Sequence, residues 1–122
     1  MFDSPDKVLH ELRSGFGGRK IIVVGDLMLD RYLWGQVERI SPEAPVPIVK
    51  LRRETFTAGG AANVARNLAA LGLEVHLAGV TGRDDGRENL LATLASDNIR
   101  TGAVIAAEDR PTTGKTRVIG NH

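Results

Sequence analysis

Cysteine is absent from this chain of 122 residues, which excludes a disulfide framework and thiolate metal sites and fits a cytoplasmic setting. Aromatic residues are scarce, with one Trp, one Tyr and three Phe against 14 Gly. That balance favours glycine-turned α/β units over an aromatic-rich β-sandwich. An excess of either charge is missing too: 16 basic residues face 15 acidic ones, for a net charge of +1. Neither nucleic acid nor an anionic membrane is therefore expected as a partner. No apolar run approaches membrane-spanning length, and the N-terminus carries Asp3, Asp6 and Glu11 instead of a basic region followed by an apolar core. The length allows one domain at most, large enough to bury a core.

What the chain does have is a small-residue stretch at 57–72, Thr-Ala-Gly-Gly-Ala-Ala-Asn-Val-Ala-Arg-Asn-Leu-Ala-Ala-Leu-Gly. Ala61, Val64, Leu68 and Leu71 follow helical spacing and are expected to form one buried stripe. Gly72 stands where a left-handed C-terminal cap is wanted. Gly59 and Gly60 let the backbone approach something closely and leave helix-start N–H groups free. Asn63, in the first turn and off the stripe, is a donor and acceptor near the same place. The stretch fits either a grip on a hydroxyl-rich or anionic small molecule or a glycine-hinged core helix.

The rest of the chain is legible as alternating units. Ser4-Pro5-Asp6 starts a short helix closed by Gly15. Ile21–Val24 is an unbroken β-branched run, expected to be a strand buried on both faces. Gly25 to Asp30 would then lie beyond its carboxyl end, where open α/β sheets bind ligands. Pro42, Pro45 and Pro47 forbid helix in 31–53, so two extended segments joined by a turn should form a small sheet outside the core. Strands at Val75–Val80 and Val104–Ala106 flank a helix from about Arg87, with Leu90, Leu91 and Leu94 inward. Residues 113–119 are extended. This order describes βαβ crossovers and a mainly parallel sheet.

Several residues carry candidate chemistry. Asp26 and Asp30 can accept hydrogen bonds from sugar hydroxyls; turn capping is the plainer reading for Asp26, and Asp30 is the functional candidate. No third ligand is near them, so no metal site is expected. Thr113, Lys115 and Arg117 alternate along a strand, which gathers a hydroxyl and two cations on one face. That face is a candidate phosphate site, with a solvated edge strand as the plain alternative. Gly114-Lys115-Thr116 lacks the earlier glycine and the helix of a Walker A loop. Gly25-Asp26-Leu27 lacks the further glycines of a dinucleotide fingerprint. Asp85-Gly86-Arg87-Glu88 has capping-box spacing. His10, His76 and His122 have no triad partners.

The run Gly59-Gly60-Ala61-Ala62-Asn63-Val64-Ala65, followed by Gly72 and Gly82, resembles the N-terminal signature of the ribokinase-like (PfkB-type) carbohydrate kinases. Val24–Tyr32 is similar to that family's first strand and turn. Arg39–Pro47, Lys115-Thr116-Arg117 and Asn121 resemble the branch acting on heptose 7-phosphate. The resemblance implies an α/β fold: the N-terminal part of a ribokinase-like, Rossmann-type, mainly parallel sheet with a small protruding β lid. Residues 1–20 would be a helical extension and 21–122 the sugar-binding and lid portion. The implied reaction is ATP-dependent phosphorylation of D-glycero-β-D-manno-heptose 7-phosphate at its anomeric hydroxyl, giving the 1,7-bisphosphate used for ADP-heptose and lipopolysaccharide core. ATP and Mg2+ are the implied cofactors, and a homodimer through the lid at 31–53 is the implied assembly.

By position, Asp30 would hydrogen-bond the sugar, and Gly59, Gly60 and Asn63 would shape its pocket. Lys115 and Arg117 are expected to neutralise the phosphate it already carries. Two departures stand out. Arg87 replaces a glycine common in the family, and the Gly-Ala-Gly-Asp motif that supplies the catalytic aspartate does not occur in this chain. No catalytic residue is therefore expected here, and the isolated chain is expected to be inactive. Two alternatives remain at this stage: a non-catalytic α/β sugar-binding or dimerisation module, and a PfkB-type kinase for another phosphosugar.

Overall fold

The structure is a computed structural model that describes residues 3–121; Met1, Phe2 and His122 lie outside the description. The elements run α1 (Pro5–Ser14), β1 (Lys20–Val24), β2 (Leu27–Ile40), β3 (Pro47–Gly60), α2 (Ala61–Ala70), β4 (Glu74–Gly82), α3 (Asp85–Ser96), β5 (Arg100–Ala107) and β6 (Gly114–Asn121). They form two three-stranded sheets. One, in the order β1-β4-β5, is parallel throughout. In the other, β3-β2-β6, the central β2 runs antiparallel to β3 and parallel to β6.

Helices α2 and α3 are the crossovers of the parallel sheet. Val75, Leu77 and Val104 from the strands pack with Ala62, Ala65, Leu90 and Leu94 from the helices to make the buried core. This corrects the expectation for the β-branched run. Ile21 and Val23 face the helices, but Ile22 and Val24 are 70% and 76% exposed, and Ile105 on β5, across β4 from them, is 65% exposed. One face of the parallel sheet is covered and the other is open.

Helix α2 also turns a different side inward. Ala62 and Ala65 are fully buried, with Ala61, Leu68 and Ala69 packed beside them, while Val64 and Leu71 are exposed. The small alanines let the helix lie close to the strands, so the bulkier Val64 is left outward. Its end is as expected. Gly72 has φ of 90°, Gly72 N–H donates to Ala69 O at 3.0 Å and Leu73 N–H to Leu68 O at 3.4 Å, a Schellman closure. Asn98 closes α3 the same way at φ 60°, with Ile99 N–H donating to Leu94 O at 3.2 Å.

The extended segments around the prolines form an external sheet, but with wider bounds than 31–53. Strand β2 begins at Leu27, so residues 27–30 are strand and not a loop beyond β1. Strand β3 runs unbroken into Gly60. Residues Gly114–Asn121 join this lid sheet beside β2. The lid is therefore rooted directly in the core through Leu27, Leu29 and Ala58, all buried.

Candidate functional site

Register builds the site. Asp30 on β2 is aligned with Thr57 on β3 and Lys115 on β6, and Tyr32 with Thr55 and Arg117. Aligned residues share a face, and alternate residues along a strand return to it. Met28, Asp30, Tyr32 and Trp34 therefore lie on one face of the lid with Lys115, Arg117 and Arg53. The alternation expected for 115 and 117 holds, whereas Thr113 falls just before β6 begins.

The Asp30 side chain is only 20% exposed, and Arg117 Nη1 lies 3.8 Å from its Oδ1. That distance is an ion pair but no hydrogen bond. Oδ1 is buried and has no hydrogen-bond partner among the described residues. Arg117 Nη1 instead donates to Tyr32 Oη at 3.1 Å, and the guanidinium stands 5.3 Å from the Tyr32 ring centre. The Tyr32 and Trp34 rings stack at 6.3 Å, and Arg53 lies 4.9 Å from the centre of the Trp34 ring. Cation–π contact of this kind holds guanidinium groups in place without neutralising them. Lys115 is exposed and forms no ion pair among the described residues.

The glycine pair is constrained first by its own chain. A methyl group on Gly59 would sit 2.8 Å from Met28 Cγ and 3.0 Å from Asp30 Oδ2. Gly60 has φ of 58°, and a methyl group there would sit 2.4 Å from the Asp26 carbonyl oxygen. That same carbonyl accepts the Ala61 N–H at 2.8 Å, so one helix-start donor is already used. Through this carbonyl, not through its carboxylate, Asp26 braces the turn; its side chain is exposed. Asn63 is exposed in the first turn of α2 and has no hydrogen-bond partner among the described residues.

A cleft of about 500 Å³ opens beyond the carboxyl ends of β1 and β4, lined by Asp26, Met28, Gly79, Arg110 and Thr113 among others. Its far wall is held by Asp84. Asp84 Oδ1 accepts from Arg87 N–H at 3.0 Å and from Thr112 Oγ1 at 2.6 Å, and Oδ2 accepts from Thr112 N–H at 2.8 Å. So Asp84, one residue earlier than the capping-box spacing implied, is the N-cap of α3. The Thr112 hydroxyl, the Thr112 amide and the Arg87 amide hold its carboxyl below the usual aspartate range. Stability from this cap is present above that range and is lost as pH falls through the lowered value. Arg87, the departure from the family glycine, donates to Thr81 Oγ1 at 2.7 Å and Val104 O at 3.1 Å, tying α3 to β4 and β5.

Tyr32, Trp34 and Arg53 join the site although none of them was a candidate site residue from sequence. Alternation from Asp30 would have placed both aromatics with it, had the strand been started at Leu27. His76 lies in β4, 3.8 Å from Glu74 and away from the lid face. Among the described residues no group of three or more His, Asp or Glu side chains could hold a metal ion.

A mixed lid sheet rooted in a parallel βαβ core thus carries a carboxylate on its central strand and two cations on an adjoining edge strand. Residues 19–122 match the pfkB family carbohydrate kinase model, and the chain belongs to that family. It is 50% identical over 115 residues to the bifunctional protein HldE of Magnetococcus marinus, covering 94% of this chain and 24% of that protein. It is 52% identical over 101 residues to the D-beta-D-heptose 7-phosphate kinase of Bordetella bronchiseptica, covering 83% of this chain and 32% of that one. Among solved structures, a carbohydrate kinase from Agrobacterium tumefaciens superposes with a TM-score of 0.66 at 26% identity, over 84% of this chain and 32% of that chain. The ribokinase of Arabidopsis thaliana, solved with ribose and ATP, superposes at a TM-score of 0.65 and 19% identity over 82% of this chain and 32% of that one, a likeness of fold. The chain thus spans about a quarter to a third of the length of these relatives.

Proposed function

We propose that this chain forms the acceptor-binding portion of an ATP-dependent kinase that phosphorylates D-glycero-β-D-manno-heptose 7-phosphate at its anomeric hydroxyl, in the cytoplasm. The observation that carries the reading is the Asp30 carboxylate, largely buried, with a partnerless Oδ1 set beside Arg117 and opposite Lys115. A buried acceptor without a donor is costly unless a ligand supplies one. A sugar hydroxyl does so, and the two cations suit the phosphate already on the sugar. Gly59 packs against Asp30, and the same reading assigns Gly60 and Asn63 to the edge of the sugar pocket. The names of the relatives from Magnetococcus and Bordetella support heptose 7-phosphate over other phosphosugars.

ATP would be the phosphate donor, with Mg2+ neutralising its charge. The residues described here offer no three-carboxylate or histidine cluster for the metal, so no step is assigned to it. Phosphoryl transfer depends on positioning and charge stabilisation at the transferred group, and this chain carries no Gly-Ala-Gly-Asp segment to supply a base. Its own part is to bind and orient the acceptor, with no turnover in isolation. In an active kinase of the relatives' length carrying these residues, Lys115→Ala should raise KM for the phosphosugar by about tenfold, the loss of one charge-assisted contact. KM for ATP should stay within about twofold. Equal effects on both substrates would remove Lys115 from the acceptor site.

The lid also supports a homodimer. Leu33, Val37, Val49, Leu51 and Val118 share its other face by register, and Leu51 and Val118 are 52% and 58% exposed. Gly35 and Gly120 keep the centre flat, since a methyl group on either would strike Val49 or Val37. A second copy of the same face would cover this patch. Sedimentation should report a dimer that Leu51→Glu converts to monomer; an unchanged sedimentation coefficient would place any interface elsewhere.

A further inference from the structure

The lid face accounts for Lys115 and Arg117 but leaves Arg110 unused. Arg110 lines the cleft at the carboxyl ends of β1 and β4, where it is exposed. Its Nη2 donates to Thr113 Oγ1 at 3.3 Å, and it forms no ion pair among the described residues. The backbone that carries it is tied down at Thr112. Pro111 follows it, the Thr112 amide and hydroxyl are both bound to Asp84, and Gly82 N–H donates to Thr112 Oγ1 at 3.0 Å. Gly82 is needed for that closure, because a methyl group there would lie 2.6 Å from both Arg110 O and Thr112 N. The fold therefore fixes the base of a guanidinium that forms no ion pair among the described residues, Asp26 of the same cleft included.

Met28 of β2 links the cleft to the lid face. Met28 lines the cleft and Asp30 lies two residues further on the same face, about 7 Å at the rise of a strand. A phosphosugar held at Asp30, with one phosphate on Lys115 and Arg117, would point its other end toward Arg110. Asp26, which also lines the cleft, disfavours a bare anion there and favours a ligand that presents a hydroxyl next to its phosphate.

We propose that Arg110 is a second anion-binding residue of the acceptor site, holding the phosphate at the reacting end of a sugar bisphosphate while the lid cations hold the first. The inference rests on the acceptor-site reading above. Its test compares the 122-residue chain with its Arg110→Met, Arg110→Lys and Arg117→Met variants by NMR titration. The probes are heptose 7-phosphate, heptose 1,7-bisphosphate and inorganic phosphate. The wild-type chain should prefer the bisphosphate by about tenfold, as one charge-assisted bond provides. Arg110→Met should abolish that preference while leaving monophosphate affinity within about twofold, and Arg110→Lys should restore part of it. Arg117→Met should weaken both sugars, and inorganic phosphate should bind more weakly than either. An unchanged preference in Arg110→Met, or an equal loss for both sugars, would overturn the role of Arg110 alone. Arg117→Met without effect on either sugar would overturn the acceptor-site reading instead, and no binding of either sugar by wild type would overturn both.

Discussion

At the scale of single residues, Gly60 is held by two separate constraints, a positive φ and an approach to the Asp26 carbonyl that leaves no room for Cβ. Gly60→Ala should therefore cost at least about 2 kcal/mol in urea denaturation, combining backbone strain with overpacking. Gly102→Ala is the control, since nothing lies within 4 Å of its missing Cβ, and it should stay within about 0.5 kcal/mol. Comparable losses at both positions would mean that the clash at Gly60 is relieved by easy movement of β2. The glycine pair could be picked out from sequence because it opens a small-residue helix, and Asp30 because it follows the first strand beside the expected lid. The reason for the glycines could not. Their neighbours, Met28 and the Asp26 carbonyl, are brought to them only by the β2–β3 pairing.

At the scale of elements, periodicity identified α2 but not its inner face. Hydropathy points to Val64 and Leu71, whereas close approach of helix to strands selects Ala62 and Ala65. Ala65→Leu should therefore destabilise by about 1–3 kcal/mol through overpacking, and Val64→Ser should stay within about 0.5 kcal/mol. The reverse order in a thermal melt would restore the stripe expected from hydropathy. The lid was legible because Pro42, Pro45 and Pro47 leave no regular alternative. Its roots were not. Leu27-Met28-Leu29 reads as an apolar turn or strand equally well, and the pairing of β6 with β2 is a contact between residues 85 apart, as in the Arg117–Tyr32 bond. Local pattern carries no signal for such a pairing.

At the scale of the whole molecule, the parallel sheet has one face packed by α2 and α3 and one face carrying exposed Ile22, Val24 and Ile105. The β-branched run of β1 is typical of parallel sheets covered on both sides, and this chain matches only 32% of the length of solved kinases of the same fold. The residues proposed to contact the acceptor lie around the junction of the two sheets: Asp30 and the glycine pair where β2 and β3 leave the core, Lys115 and Arg117 on the adjoining β6, and Asn63 where α2 begins. The most direct test is NMR shift mapping of the chain titrated with heptose 7-phosphate. Saturable shifts are expected at the amides of Asp30, Gly59, Gly60, Asn63, Lys115 and Arg117, weakened by Asp30→Asn. Shifts confined to the distal lid groove around Arg52 and Asn121, or titration unaffected by Asp30→Asn, would contradict it.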